Sequence, residues 1–413
     1  MSRAIDAGVK DLIKNGDHDK VFRTVAELIS QRLPGKLLEI EFLGESFPLD
    51  QDTIFLQDDA CIAIPKFRLL QAFLVARTIL TRGLRDSDTD ITATSRGLVP
   101  GLPPRSDSDS DGREALLSAA GVMLLMDPEH LTAANTRKRL LLLLGRGISG
   151  QDDGDGPGAQ RSLEDERYFV DSLLTSRLHR HTKSPTLWSH RQWLMERFLA
   201  RGMGLDVVRT VEAVVLVSAE RHPRNYYAWG HARYLVDRIL RGPGPGRGAG
   251  AGAGVGPEAE SAEAARVVED VLGAVKKWAF SHHDDISGWA FLMFLLERRP
   301  EHAGRVVAET LGLAASLGWK NESVWHFLRT VVKQQQQHQH QQHQQASSAA
   351  AEAGFRATRT ALLSRIAVED GEGEGEGEGE GEGEGEGEGG SGSGSGSENG
   401  RRVLDRALQW LES

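Results

Sequence analysis

Two stretches of this chain repeat one another. Ser184-Pro185-Thr186-Leu187-Trp188-Ser189-His190-Arg191-Gln192-Trp193-Leu194 is followed by Arg224-Asn225-Tyr226-Tyr227-Ala228-Trp229-Gly230-His231-Ala232-Arg233-Tyr234-Leu235. Aligned on Trp188 and Trp229, both put a helix-starting residue four or five positions before the Trp, a His two after it, an aromatic five after and a Leu six after. A self-similar period constrains the fold more than any local pattern, because each unit of a repeat buries its apolar face only against its neighbours.

Weaker copies centre on Ala134, Trp289 and Trp325, so the five anchors stand 54, 41, 60 and 36 residues apart. Each long interval contains a low-complexity insertion, and excising about 16 and about 20 residues leaves a period of roughly 36–41, the size of a helical hairpin. In the best copy Ser184-Pro185 supplies a cap residue and a proline for the first helical position. Beyond them Leu187, Arg191, Leu194 and Phe198 recur at spacings of four, three and four, one face of a helix. The expected fold is all-α: a right-handed α-α superhelix, a solenoid of about five helical hairpins over residues 113–333, with insertions near 145–160 and 241–258. Trp188, Trp193, Trp229, Trp289 and Trp325 are expected in the repeat core.

Outside the repeats, residues 1–82 read as a helical and extended segment. Val21, Val25, Leu28 and Ile29 form a helical stripe ended by Pro34-Gly35, and Pro65 to Arg82 is a second helix. Leu37 to Leu43 reads equally as a short strand or as an extended segment lying on a neighbouring surface. Residues 83–112, rich in Ser, Asp, Gly and Pro, read as a disordered linker. Residues 334–413 read as a largely disordered tail of Gln/His, Glu-Gly and Ser-Gly tracts. Two amphipathic islands in it, 355–368 and 401–411, are candidate capping helices for the solenoid end.

The net charge of −10 is local: Glu369 to Glu388 carries −11, leaving the rest of the chain near +1. A near-neutral body lacks the clustered Lys and Arg that nucleic-acid binding requires. The one cysteine, Cys61, excludes an internal disulfide and a multi-Cys zinc site. Beside Ile62 and Ile64 it reads as a small buried hydrophobe. No apolar run reaches the ~18 residues of a membrane span, and the first residues lack the apolar core of a secretory signal, so a cytoplasmic location is expected.

The repeat motif resembles the protein prenyltransferase α-subunit repeat, found in the α subunits of farnesyl- and geranylgeranyltransferases. Ser184–Leu194 is similar to that motif throughout. Asn225-Tyr226-Tyr227-Ala228-Trp229-Gly230-His231 is similar to its Asn-Tyr-x-Ala-Trp-x-His stretch, and Asn321-Glu322-Ser323-Val324-Trp325 to a terminal repeat. Met126 to Leu142 resembles an early repeat with Ala134 in place of the Trp. With the Leu38–Gly44 segment before it, the arrangement is most like the divergent branch called protein prenyltransferase α-subunit repeat-containing protein. The chain departs from the motif where the Arg three after the anchor, present as Arg137 and Arg191, becomes Ala232, with Arg233 one further on, and Leu292.

The resemblance implies a crescent of hairpins that scaffolds a separate β subunit, with the catalytic zinc and the isoprenoid pocket on that β subunit and no cofactor bound by this chain. It implies a basic residue and a Tyr near the isoprenyl diphosphate at the subunit interface, here Arg224 and Tyr226. Both positions are also readable as an ordinary surface turn. Asn225, His190, Arg191, His231 and Arg233 are candidates either for the interface or for hydrogen bonds between repeats. The protein substrate implied is a small GTPase or a SNARE-type trafficking protein, modified at a C-terminal cysteine, with geranylgeranyl transfer expected.

The chain's own residues offer no independent catalyst. His282-His283-Asp284-Asp285 are adjacent, whereas metal ligands on a helix need spacings of three or four. His338, His340 and His343 lie in a Gln tract, and there is no P-loop, nucleophile elbow or Asp-Asp-x-x-Asp motif. A metal site is therefore not expected. The alternatives are a solenoid scaffold without transferase activity and a tetratricopeptide-like peptide binder, the latter disfavoured by its ~34-residue period.

Overall fold

A computed structural model describes residues 16–44, 52–93, 107–144, 157–241, 257–339, 345–372 and 393–413. The chain divides into two compact units, Met1–His231 and Ala232–Ser413. Helices dominate both, in hairpins, as the repeat period predicts.

The first unit opens with α1, His18–Ser30, whose N-terminus is closed by Asp17 accepting from the Lys20 amide at 2.9 Å. Its stripe of Val21, Phe22, Val25, Leu28 and Ile29 is buried. Three short strands follow, β1 Glu39–Leu43, β2 Leu56–Asp58 and β3 Cys61–Pro65, in the order β1-β3-β2. β1 and β3 run parallel with Ile40 opposite Ile62, and β2 joins antiparallel. The segment that the sequence leaves open between strand and extended chain is thus a strand. Its register explains a correction. Ile62 and Ile64 are buried, so on a period of two Cys61 faces the other way and is exposed rather than a buried hydrophobe.

Helix α2, Lys66–Ala93, runs beyond Arg82, where a linker was expected to begin, and α3, Asp107–Met126, starts before Arg113. Gly83 reads as a stop but serves a close approach: a Cβ there would meet Leu116 Cδ1 of α3 at 2.9 Å. The middle of the expected linker, 94–106, lies outside the described residues. The repeat hairpins then begin with α4, Leu131–Leu144, partner of α3. Next come α5 Pro157–Thr175, the short α6 His179–Thr182 and α7 Pro185–Ala200. A helix in three parts follows: α8 Val207–Thr210, a π-helical segment Val211–Leu216, and α9 Val217–Arg221. Helix α10, Tyr226–Leu240, begins in this unit. Of the expected insertions, 145–156 and 242–256 lie outside the described residues.

The second unit contains α11 Pro257–Ser281, α12 Ile286–Arg298, α13 Ala303–Leu317 and α14 Glu322–Gln339. Gly318 ends α13 in the left-handed conformation, φ 69°, the usual glycine stop. The Trp289 ring lies 4.8 Å from that of Phe327, tilted by 47°, and both Trp289 and Trp325 are fully enclosed. The tail contributes two further helices, α15 Gln345–Glu372 and α16 Ser393–Glu412, longer than the expected 355–368 and 401–411. They pack on α13 and α14 by burying Phe355, Leu362, Ile366, Leu404 and Leu411, with Phe355 edge-on to Trp325 at 5.1 Å. The tail therefore holds more helix than its composition suggests. Residues 340–344, including His340 and His343, and 373–392, most of the Glu-Gly tract, lie outside the described residues.

Candidate functional site

Most repeat anchors share one local geometry, with a cap at four of the five and an indole bond at three, which explains why these residue types recur. The residue four before the anchor caps the second helix. His130 Nδ1 accepts from the Ala133 amide at 3.1 Å, Ser184 Oγ from Leu187 at 3.1 Å, Asn225 Oδ1 from Ala228 at 3.2 Å and Asp285 Oδ1 from Ser287 at 2.8 Å. The Trp indole N–H then donates to the carbonyl six residues earlier: Trp188 to Thr182 at 2.8 Å, Trp289 to His283 at 2.9 Å and Trp325 to Trp319 at 2.8 Å. The same row of carbonyls receives the cap residue of the next repeat. Ser184 Oγ donates to Pro128 O at 3.1 Å, Asn225 Nδ2 to Thr182 O at 2.7 Å and Asn321 Nδ2 to His283 O at 2.7 Å. Ser184 and Asn225 thus each close their own helix and tie it to the hairpin before it, Asn321 makes the tie alone, and a carboxylate cap such as Asp285 cannot make it.

The motif Arg and His residues form a second layer in the first unit. Arg137 grips Glu166 with two nitrogens, Nε at 2.8 Å and Nη2 at 2.5 Å, and His190 Nε2 lies 3.0 Å from Glu166 Oε1. Arg191 grips Asp171 in the same way, at 2.7 and 3.3 Å, and its Nη1 donates to His231 Nε2 at 2.6 Å. His231 also lies with its ring 5.3 Å from that of Trp188. Since guanidinium only donates, His231 accepts through Nε2 and holds its proton on Nδ1. Burial, reinforced by the Arg191 charge, keeps His231 neutral, far below the usual imidazole range. Burial likewise lowers His190 against the pull of Glu166. Burial would raise Glu166, but the Arg137 charge and the bonds around it hold the carboxyl at about 2. His181 has the opposite tautomer: its Nε2 meets the carbonyls of Leu124 and Leu125 at 3.2 and 2.9 Å, and burial lowers it to about 4.

The candidates from the sequence therefore separate into two groups. His190, Arg191, Asn225 and His231 are enclosed, with Arg191 1% exposed; Arg191, Asn225 and His231 connect one hairpin to the next, while His190 meets Glu166 within its own hairpin. Tyr226 is 71% exposed, and Arg224 is exposed beside it. Arg224 has φ 59°, a left-handed conformation costly for a residue with a Cβ. Asn225, bonded on both sides, fixes the turn that carries them. Arg233 does not repeat the Arg191 geometry; it stacks over Phe291 at 5.5 Å and Phe294 at 5.0 Å. Trp193 is half-buried rather than in the core, flanked by Lys138 at 5.8 Å and Arg197 at 5.9 Å.

Glu166 and Asp171 escape a motif reading, although a signal existed. Glu166 lies three after Leu163 and four before Val170, on the stripe that α5 buries. A carboxylate there must be paired, and the motif Arg side chains are partners of the right charge: Arg137 takes Glu166, and Arg191 takes Asp171. Among the described residues, no group of three or more His, Cys, Asp or Glu side chains converges to hold a metal, and no helix is long and apolar enough to cross a membrane. The model of the protein prenyltransferase alpha subunit repeat matches residues 163–198 and 213–239. Those residues are the hairpins built on Trp188 and Trp229, the ones joined by the Arg191 to His231 contact. No curated protein matches the chain.

Proposed function

We propose that this chain, which carries the protein prenyltransferase alpha subunit repeat, is the α subunit of a heterodimeric protein prenyltransferase acting in the cytoplasm. Its hairpins scaffold a β subunit that supplies the zinc ion and the isoprenoid pocket. The reaction is transfer of an isoprenyl group, geranylgeranyl in our reading, to a C-terminal cysteine of a small GTPase or SNARE-type protein. The observation that carries this proposal is the turn at Arg224 to Tyr226. It holds an exposed cation and an exposed phenol on a backbone fixed by Asn225, within a matched repeat.

In this role Arg224 and Tyr226 donate to the diphosphate at the subunit boundary as negative charge builds on the leaving group. Arg offers a planar, permanently charged donor set suited to two phosphate oxygens. The test is co-expression with prenyltransferase β subunits, followed by transfer from geranylgeranyl or farnesyl diphosphate to a protein ending in cysteine. A stable heterodimer that transfers, and loses transfer but not assembly in Arg224→Ala/Tyr226→Phe, supports the assignment. A chain that pairs with no β subunit leaves the second reading, a solenoid scaffold without transferase activity. Loss of the motif Arg at Ala232 and Leu292 favours that reading.

A further inference from the structure

Lys183 and Arg224 flank one bond between neighbouring hairpins: Asn225 Nδ2, next to Arg224, donates to the carbonyl of Thr182, next to Lys183, at 2.7 Å. Each stands five residues before its anchor, Trp188 or Trp229. The same two turns carry a pair of imidazoles. His179 on α6 and His222 at the end of α9 meet edge-on, with ring centres 4.1 Å apart and planes at 70°. The Thr182 hydroxyl donates to the His179 carbonyl at 3.2 Å and steadies that turn. His179 and Lys183 are exposed, whereas His222 is half-buried, with Nδ1 shut off from solvent and unbonded.

His222 differs from the other histidines of its row. The residue three before the cap is His in three copies, His181, His222 and His282. His181 Nε2 bonds the Leu125 carbonyl at 2.9 Å, and His282 Nδ1 donates to the Trp278 carbonyl at 2.9 Å. Those two rings are fixed by the backbone and serve the fold. His222 has no such carbonyl and packs on His179 instead.

The uncommitted charges around the pair are of one sign. Arg180 on α6 is taken by Asp127 at 3.1 Å, and Arg221 on α9 by Glu39 at 3.0 Å. Burial lowers His222, the neighbouring His179 and Lys183 lower it further, and no carboxylate, Glu220 of the same helix included, acts against them. Among the described residues no acid pairs with His179, Lys183 or His222. Two imidazoles and an ammonium group gathered without an acid are the complement of a compact, multiply charged anion.

We propose that His179, Lys183 and His222 form a binding site for a phosphate-type anion beside the Arg224–Tyr226 turn, and that the imidazole pair takes up one proton as the anion binds. The proton passes from solvent to a ring nitrogen, and the anion supplies the negative partner that the fold withholds. For the identity of the anion we rely on the reading of that turn as a diphosphate rim, whereas anion and proton binding by this chain need no β subunit. The sign follows from linkage: an anion that raises an imidazole by one pH unit binds about tenfold more tightly below both midpoints than above them.

The test uses the full-length protein with carbon-13-labelled histidine rings, followed by nuclear magnetic resonance as sulfate is added; sulfate stays doubly charged across the range, so any pH dependence belongs to the protein. His179→Gln and His222→Gln identify the two signals. Sulfate should shift both saturably, move the His222 titration upward, and bind about tenfold more weakly at about pH 8.5 than at about pH 6. Lys183→Gln should weaken binding at both pH values, and His179→Gln/His222→Gln should abolish the pH dependence with the circular dichroism spectrum unchanged. Inorganic diphosphate should displace sulfate, and phosphatidylcholine vesicles containing phosphatidylserine should not. Unmoved ring signals, an affinity independent of pH in the wild type, pH dependence that survives the double substitution, or displacement by the vesicles and not by diphosphate would each overturn the proposal. A reconstituted heterodimer that fails to transfer, beside sulfate binding that keeps its pH dependence, sinks the transferase reading and leaves the anion site standing. Successful transfer beside an affinity independent of pH does the reverse.

Discussion

Replacing Arg191 with Met tests whether the enclosed ionic layer is what joins the matched hairpins. The substitution keeps the length and apolar stem of the side chain and removes its charge. Asp171, whose side chain is 9% exposed, then loses both guanidinium bonds, at 2.7 and 3.3 Å, and His231 loses its donor at 2.6 Å. Removing one partner of an enclosed ion pair typically costs about 3–5 kcal/mol, because the remaining charge is stranded away from water. Removing both restores neutrality, so Arg191→Met/Asp171→Leu should recover about 2 kcal/mol of that loss, a coupling of the size seen for residues in one network. The assay is urea unfolding of wild type, both single variants and the double variant, followed by far-ultraviolet circular dichroism. A cost below about 1 kcal/mol for Arg191→Met, the value of an exposed pair, would refute the reasoning. Strict additivity of the two single variants would refute it as well.

Three other outcomes follow from the same structure. His181 is held at about 4, below its ordinary 6.5, so its contribution is complete above about pH 6.5 and is lost as the pH falls through about 4; that shift corresponds to ~3 kcal/mol. His181→Gln, which keeps a donor to Leu124 and Leu125 but does not titrate, should flatten the fall in the urea midpoint between about pH 7 and pH 4. Trp289→Ala should destabilise by about 3–5 kcal/mol, whereas Trp193→Ala, at a half-buried position, should cost about 1 kcal/mol in the same urea assay. Arg224→Gly removes the left-handed strain at φ 59° and should raise stability by about 1 kcal/mol in thermal unfolding; under the proposed function it should also lower transfer by the reconstituted heterodimer.

The hairpin architecture was legible because its determinants are local and periodic. Capping residues, the Trp anchors and the spacing of Leu187, Arg191, Leu194 and Phe198 all follow from helix geometry within a few positions. What escaped was set by distant partners. The strand pairing of Glu39–Leu43 with Cys61–Pro65 joins segments across residues that carry no pairing signal, and only its register shows which way Cys61 faces. Gly83 looks like a terminator until Leu116 is seen against it. In the tail, the islands 355–368 and 401–411 were legible, but not the reach of their helices: burial of Phe355, Leu362 and Leu404 supports helices that extend into Gln, Ser and Gly segments which alone would not sustain them. The place of Glu166 on a buried stripe marks it as an acid in need of a partner, but nothing in a linear pattern says which Arg comes back to Glu166 and which to Asp171.

The residues that make the repeat recognisable are, for the most part, the ones withdrawn from contact with any partner. Trp188, His190, Arg191, Asn225 and His231 are enclosed because each satisfies a neighbour's carbonyl, carboxylate or ring, so a match to this motif identifies a scaffold before it identifies a reaction. Chemistry must then reside at positions the scaffold leaves free. One such position is three before each anchor, at the start of the second helix. It faces outward in the first unit as Leu131, Pro185 and Tyr226, and its side chain enters none of the contacts between hairpins described for the caps and the Arg/His layer. That freedom allows its identity to change from copy to copy without cost to the fold. Tyr226 is the one phenol among these three, and it follows the strained Arg224 and the doubly bonded Asn225. Strain is retained where surrounding bonds enforce it, and here Asn225 enforces it on the exposed turn rather than in the core. Specificity in this fold is therefore expected to follow substitutions at the outward row and its turns, while substitutions in the enclosed layer change stability first and activity only through it.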